Sequence, residues 1–174
     1  HLEHRRQRQM CIRDSVERAL AADKKILGIC FGHQLMAHYF GGRVAPAAEG
    51  WAVGVHTSTI VRSHSWMGES AASQFSLLSS HKDQVAELPQ AAEIFATNAF
   101  CPIAGFTMSD QVVTVQGHPE FTKSYAQGLL DHRRELLGEN LYQQGMASMN
   151  KRTDELLVAR WLLDFVTGVS ATRR

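Results

Sequence analysis

A short apolar run that turns into a helix through two glycines and a cysteine constrains this fold more than any other segment. The run reads Lys25-Ile-Leu-Gly-Ile-Cys-Phe-Gly-His-Gln, and its first residues, Ile26–Ile29, suit a strand buried on both faces. Gly28, Cys30 and Gly32 follow a GxCxG spacing, which is typical of a sharp strand-to-helix turn with a nucleophile at its apex. Such a turn requires neighbours without side chains and predicts an α/β fold.

The remaining patterns extend this prediction to an open, mostly parallel sheet flanked by helices in a single domain over residues 1–174. Residues 1–10 lack apolar periodicity and are expected to form a poorly ordered tail. Ser15 is predicted to cap a first short helix. Further strands are expected at 53–62, 76–79, 93–97 and in a hairpin over 102–116, and helices at 33–40, 123–137 and 154–167.

Composition excludes several classes of protein. Lys and Arg total 18 against 17 Asp and Glu, so no basic excess favours a nucleic-acid partner. A membrane-spanning helix needs about 18 consecutive apolar residues, more than any run in this sequence provides, so no membrane partner is expected. The three widely spaced cysteines fit neither a disulfide framework nor a CxxC metal pair. We therefore expect a cytoplasmic protein without a bound metal or cofactor, and without a P-loop for ATP.

Cys30 is the candidate nucleophile. At the apex of the turn its side chain would project over the carboxyl edge of the sheet, where ligands bind in open α/β folds. The helix N-terminus would favour its thiolate, and the backbone N–H of Phe31 would be available to an oxyanion. The alternative is that Cys30 is a small buried apolar residue, the usual fate of a lone cysteine. Cys11 and Cys101 lack this setting and are interpreted as structural.

His118 is the candidate base, because it follows a predicted strand and has a carboxylate two residues later. The segment reads Val115-Gln-Gly-His-Pro-Glu-Phe, and its strand would end at the same edge as Cys30. Pro119 keeps the turn extended, so that His118 and Glu120 both project from it. A thiol nucleophile needs such a histidine, and the histidine needs a partner to fix its tautomer. The alternative is an ordinary loop histidine.

Together, LGICFGHQL and QGHPEF closely resemble the class I glutamine amidotransferases, in which a GxCxGHQ turn supplies the nucleophile and HPE supplies the His and Glu. Ser80-His-Lys-Asp-Gln-Val resembles the SHxDxV stretch that shapes the glutamine pocket in that family. Three separated motifs occur in the family's order, across about residues 12–121. The QGHPEF form is most similar to the stand-alone, GMP-synthase-like members and the γ-glutamyl peptidases.

The resemblance implies hydrolysis of the glutamine side-chain amide, or of a γ-glutamyl bond, through a thioester on Cys30. His118 would transfer the protons, and Glu120 would orient His118. Phe31 would serve the oxyanion. The substrate, L-glutamine or a γ-glutamyl compound, would be bound at a pocket formed by four further residues: Gly32, Gln34, His81 and Asp83.

Three alternatives stay open at this stage. Members of the family carry a longer N-terminal region, so the first strands and a glycine-containing oxyanion loop are expected to be missing here. The chain could then be an ammonia-supplying subunit that is inactive without a synthase partner, or a truncated, non-catalytic interaction module. A different α/β thiol enzyme, such as a cysteine peptidase relative with a similar turn, is the third alternative.

Overall fold

The computed structural model describes residues 2–68 and 72–168, and the side chains from residue 11 onward within those ranges. Within these ranges the α-helices are α1 Leu2–Ala21, α2 Phe31–Tyr39, α3 Lys123–His132, α4 Arg134–Leu137, α5 Glu139–Ser148 and α6 Glu155–Thr167, and a 3₁₀ helix spans Ser65–Met67. Eight strands are β1 Ile26–Ile29, β2 Arg43–Pro46, β3 Ala52–Ile60, β4 Gln74–His81, β5 Asp83–Glu87, β6 Ala92–Thr97, β7 Gly105–Met108 and β8 Val112–Val115. No described helix is both long and apolar enough to cross a membrane.

Six of these strands form one sheet in the order β1-β8-β7-β6-β3-β4, while β2 and β5 form a separate antiparallel pair. The α/β class and the helix-flanked sheet predicted from the sequence are confirmed. Parallel pairing joins β1 to β8, with Ile29 opposite Val115. The other pairings within the described ranges are antiparallel, so there the predicted parallel character is limited to the β1–β8 pair.

Strand β8 lies between β1 and β7, and all four of its residues, Val112–Val115, are buried. Val113 and Val115 pack toward α6 in a cluster that includes Phe95 and Trp161. Val112 faces the opposite side of the sheet and belongs to a cluster with residues of α1 and α2. Alternation along a strand sends neighbouring side chains to opposite faces, so helices cover β8 on both sides.

The first helix differs from the sequence-based expectation. Helix α1 begins at Leu2, inside the segment where we expect a poorly ordered tail. Ser15 is not its cap: the Ser15 hydroxyl donates to the Cys11 carbonyl, 2.8 Å away and one turn earlier in the helix. Val16 is buried and anchors the second half of α1 beside α2. The first ten residues include several good helix formers, and apolar periodicity alone does not detect that propensity.

Candidate active site

Cys30 lies at the apex of the turn between β1 and α2, as the sequence predicts. Its backbone has φ +49° and ψ −98°, a conformation that residues other than glycine seldom adopt. Its N–H donates to the Val115 carbonyl at 2.9 Å, which continues the β1–β8 pairing by one residue. The first helical bond runs from the Gln34 N–H to the Cys30 carbonyl at 3.1 Å. The turn is thus fixed on both sides of the cysteine while its backbone stays strained.

The two glycines of the turn have different roles. A Cβ atom at Gly28 would lie 2.8 Å from the Gly32 carbonyl oxygen and 2.8 Å from Cγ2 of Thr114, so the close approach of strand and helix requires glycine there. A Cβ at Gly32 would meet nothing within 4 Å. The predicted steric requirement therefore holds for Gly28 and not for Gly32.

His118 and Glu120 lie just beyond β8, at the edge where β1 also ends. The His118 backbone N–H donates to the Leu78 carbonyl at 2.8 Å, which ties this turn to β4. The His118 Nδ1 atom lies 2.7 Å from Oε1 of Glu120. This contact favours a proton on Nδ1, which leaves Nε2 as the acceptor of the neutral ring. Phe121 stacks on the imidazole, with ring centres 3.8 Å apart and planes 11° from parallel.

Opposing influences set the protonation of Cys30. Burial raises the pKa of its thiol, and the Glu120 carboxylate raises it further. A hydrogen bond from the Phe31 backbone N–H and another from the Gln116 side chain lower it. The net effect is a raised pKa, so a base is needed to make the Cys30 thiol nucleophilic.

The carbonyl oxygen of Asp83 connects the other predicted site residues. The Gln34 Nε2 atom donates to it at 2.6 Å, and Nδ1 of His81 lies 3.1 Å from it. Burial lowers the pKa of His81 to about 4, so this ring is neutral at neutral pH. The Asp83 side chain is exposed to solvent. A direct contact of Gly32, Gln34, His81 or Asp83 with substrate stays a prediction.

The sequence analysis missed one residue of this site, Gln116. It follows β8 directly, its side chain is buried, and its Nε2 atom donates to Sγ of Cys30 at 3.5 Å. The available signal was its position two residues before His118, but the contact depends on the register of β1 and β8.

The other two cysteines differ in exposure, and neither lies at the turn between β1 and α2. Cys101 is buried, which raises the pKa of its thiol to about 12, and Cys11 is exposed on α1. Across residues 2–68 and 72–168, the search for three or more clustered His, Cys, Asp or Glu side chains suited to a metal ion gives none.

This fold and this arrangement of motifs correspond to a known family. The chain belongs to the class-I glutamine amidotransferases, whose family model matches residues 5–132. The resemblance stated from the three motifs is thereby confirmed.

Individual relatives agree with that assignment. The chain is 32% identical to γ-glutamyl peptidase 4 of Arabidopsis thaliana over 146 residues, which cover 82% of this chain and 57% of the relative. It is 37% identical to a glutamine-hydrolysing GMP synthase of Streptococcus pneumoniae over 100 residues, 57% of this chain and 19% of that protein. The crystal structure of a Thermotoga maritima glutamine amidotransferase has the same fold, with a TM-score of 0.74 at 20% identity over 90% of this chain and 69% of that one. The chain spans about half the length of the γ-glutamyl peptidases it matches.

Proposed function

We propose that this chain hydrolyses the side-chain amide of L-glutamine, or a γ-glutamyl bond, through a thioester on Cys30. The observation that carries the proposal is the convergence at one sheet edge of a strained, partly buried cysteine and a histidine held 2.7 Å from a carboxylate. A cysteine nucleophile needs both a base and a group that orients the base. The amidotransferase family and its hydrolytic relatives support the same general activity.

In the first half of the reaction, Nε2 of His118 takes the proton of the Cys30 thiol. The sulfur then attacks the γ-carbonyl carbon of the substrate. The negative charge that develops on the carbonyl oxygen is stabilised by the Phe31 backbone N–H, which lies before the first helical hydrogen bond of α2. His118 returns the proton to the departing nitrogen, so ammonia or an amine leaves and a γ-glutamyl thioester remains.

In the second half, His118 takes a proton from water, and the resulting hydroxide attacks the thioester carbon. The C–S bond breaks, the sulfur recovers a proton from His118, and glutamate is released. Glu120 holds Nδ1–H and offsets the positive charge that the imidazole carries in both halves. The raised pKa of the Cys30 thiol supports this order of events, because proton transfer to His118 must accompany or precede attack.

The choice between glutamine and a larger γ-glutamyl compound concerns the group beyond the scissile bond. Both substrate classes share the γ-glutamyl half, and either is consistent with Cys30 attack at the γ-carbonyl. The relatives support both, since one group is named for γ-glutamyl peptides and the other for glutamine hydrolysis. We assign the pocket formed by Gly32, Gln34, His81 and Asp83 to this shared half.

The test is the intact mass of the chain after brief exposure to a glutamine analogue whose γ-amide is replaced by a diazoketone. We expect one adduct, lost in Cys30→Ser and suppressed by excess glutamine. The matched control is Cys11→Ser, which removes an exposed thiol on α1 and should leave the adduct intact. A folded chain that gives no adduct, or one that persists in Cys30→Ser, would overturn the proposal and support the non-catalytic interaction module.

A second candidate, an ammonia-supplying subunit that needs a synthase partner, is favoured by exposed apolar side chains in β1 and at the start of α2. Leu27, in β1, is 38% exposed, and Phe31, which follows Cys30 directly, is 67% exposed. Exposed apolar residues at a site mark contact surfaces when they form a contiguous patch. In this case glutamine hydrolysis by the isolated chain is weak and rises when an amide-forming synthase is added. Equal activity with and without the synthase contradicts this candidate.

A further inference from the structure

The buried side chain of Gln116 connects two parts of the site that the reaction scheme treats separately. It is 2% exposed, and its two polar atoms point to different partners. The Nε2 atom donates to Sγ of Cys30 at 3.5 Å. The Oε1 atom accepts from Nε2 of Gln34 at 3.3 Å. One amide therefore links the reacting sulfur to the first turn of α2.

The direction of this amide is fixed by its neighbours. Gln34 directs one N–H to the Asp83 carbonyl at 2.6 Å and the other to Oε1 of Gln116. Because the second hydrogen bond occupies the oxygen end of Gln116, its NH₂ end faces the sulfur. Both hydrogens of the Gln34 amide are used in this way. Only the Gln34 oxygen remains for substrate, and an oxygen recognises a donor such as an ammonium group.

We propose that Gln116 is a further catalytic residue, whose N–H stabilises the charged sulfur of Cys30, and that Gln34 is a positioning residue that orients Gln116. The proposal deepens the proposed function and rests on it only for the role of Cys30 as the nucleophile. A neutral amide is suited to this task because its N–H donates to the thiolate without adding a net charge to the site.

The surroundings of the sulfur explain why such a donor matters. Glu120, beyond β8, is a titratable group that acts on the Cys30 thiol, and its carboxylate raises the pKa of that thiol. The His118 imidazole favours the thiolate once it carries the proton that it takes from the sulfur. Gln116 and the Phe31 N–H are the hydrogen-bond donors that oppose burial. Removing the Gln116 donor leaves the Phe31 N–H as the remaining one of these two donors.

The test measures the reactivity of the thiol itself, independently of hydrolysis. Cys30 is alkylated with iodoacetamide across about pH 7 to pH 11, and its peptide is quantified by mass spectrometry. In Gln116→Leu we expect the pH midpoint to rise by about 0.5–1 unit, which corresponds to roughly threefold to tenfold slower alkylation at pH 7. The matched control is Gln111→Leu at the other end of β8, where the side chain donates to the Leu20 carbonyl instead. Its midpoint should not move.

Two further variants guard against a purely structural explanation. Gln116→Glu keeps the shape but adds a carboxylate, so its midpoint should rise further than that of Gln116→Leu. Gln34→Leu leaves Gln116 in place and removes its orienting donor, together with the Gln34 hydrogen bond to the Asp83 carbonyl, so a smaller rise is expected. A midpoint unchanged in folded Gln116→Glu and Gln34→Leu overturns the proposal, whatever their thermal stability. Because alkylation needs no substrate, that result is distinct from a failure to hydrolyse glutamine.

Discussion

Each end of the β1–β8 pair has a histidine and a carboxylate, and the two ends differ in whether these side chains contact each other. At the amino end, Lys25, His64, Trp66 and Asp110 line a cavity of about 310 Å³. At the carboxyl end, the space behind Gln116 is only about 10 Å³. The roomier end is therefore not the end with the cysteine. Cavity volume alone would select the end of the β1–β8 pair that lacks Cys30.

A stacked histidine at each end shows what the difference teaches. His118 stacks on Phe121, and His64 stacks on Trp66 with ring centres 5.1 Å apart and planes 9° from parallel. His118 has Glu120 at 2.7 Å, whereas Nε2 of His64 is buried without a hydrogen-bond partner in the part of the chain that the structure describes. Burial also lowers the pKa of His64. Stacking is common to both rings, and the carboxylate partner distinguishes the one suited to carry a proton.

The largest expected effect comes from replacing each of these two histidines by asparagine. His118→Asn should lower glutamine hydrolysis by about 10³-fold, since a general acid–base contributes roughly 10²–10⁴. His64→Asn should change it by less than about twofold. Release of ammonia under saturating substrate measures both. Comparable losses in the two variants would show that the contrast between the ends is not functional.

Glu120→Gln should lower hydrolysis by about 10²-fold, because the imidazolium loses its carboxylate partner. The same change should move alkylation of Cys30 to lower pH, since the Glu120 charge raises the pKa of that thiol. Hydrolysis and thiol reactivity therefore shift in opposite directions. At the amino end, Asp110→Asn removes an exposed ion pair with Lys25 and should leave both readouts unchanged. If Glu120→Gln lowers both the rate of hydrolysis and the rate of Cys30 alkylation, Glu120 does not have this role.

Acid should destabilise the carboxyl end through its buried histidines. Burial lowers the pKa of His33 to about 3 and that of His81 to about 4, below the value near 6.5 of an exposed ring. At these two rings the unfolded chain thus binds more protons below about pH 6.5, so their contribution to stability is constant above that pH and falls as the pH drops. We expect a loss of about 2 kcal/mol per ring between pH 7 and pH 5.

Denaturant unfolding at several pH values measures this loss. His81→Gln should flatten the profile by about the contribution of one ring. The exposed His132 offers the control, since His132→Asn should leave the profile unchanged. A profile equally steep in His81→Gln would show that other groups cause the acid sensitivity.

The smallest expected effects separate the two glycines of the turn. Gly28→Ala should lower the free energy of unfolding by about 1–3 kcal/mol, because its Cβ would collide with backbone and with Thr114. Gly32→Ala lies in open space within a helix, where alanine is favoured by up to about 1 kcal/mol. It should keep or raise stability while lowering hydrolysis, given the predicted contact of Gly32 with substrate. Equal destabilisation by the two changes argues against the close strand–helix approach.

Local signals predicted much of this fold. The strand Ile26–Ile29 has the bounds expected from its apolar run, and the hairpin forms around Ser109 and Asp110. The turn at Cys30 and the pair His118–Glu120 were also accessible, because each depends on residues that are close together in the sequence.

Features that depend on distant pairing escaped the sequence analysis. The sheet of β2 and β5 joins Val44 to Val85 through two short strands with little apolar alternation of their own. The contact of Gln116 with Cys30 becomes visible only once β1 and β8 are paired in register. Nonlocal registers of this kind are not encoded in any single window of residues.

The parallel pairing of β1 and β8 also has a consequence for folding order. Cys30 and Gln116 are 86 residues apart in the sequence, and a parallel pair cannot form by a local turn. Contacts of long sequence separation are slow to form, since the intervening chain must be ordered first. We expect a newly made chain to carry Cys30 as an ordinary thiol through most of folding. The reactivity of Cys30 would then arise only when β8 has paired with β1.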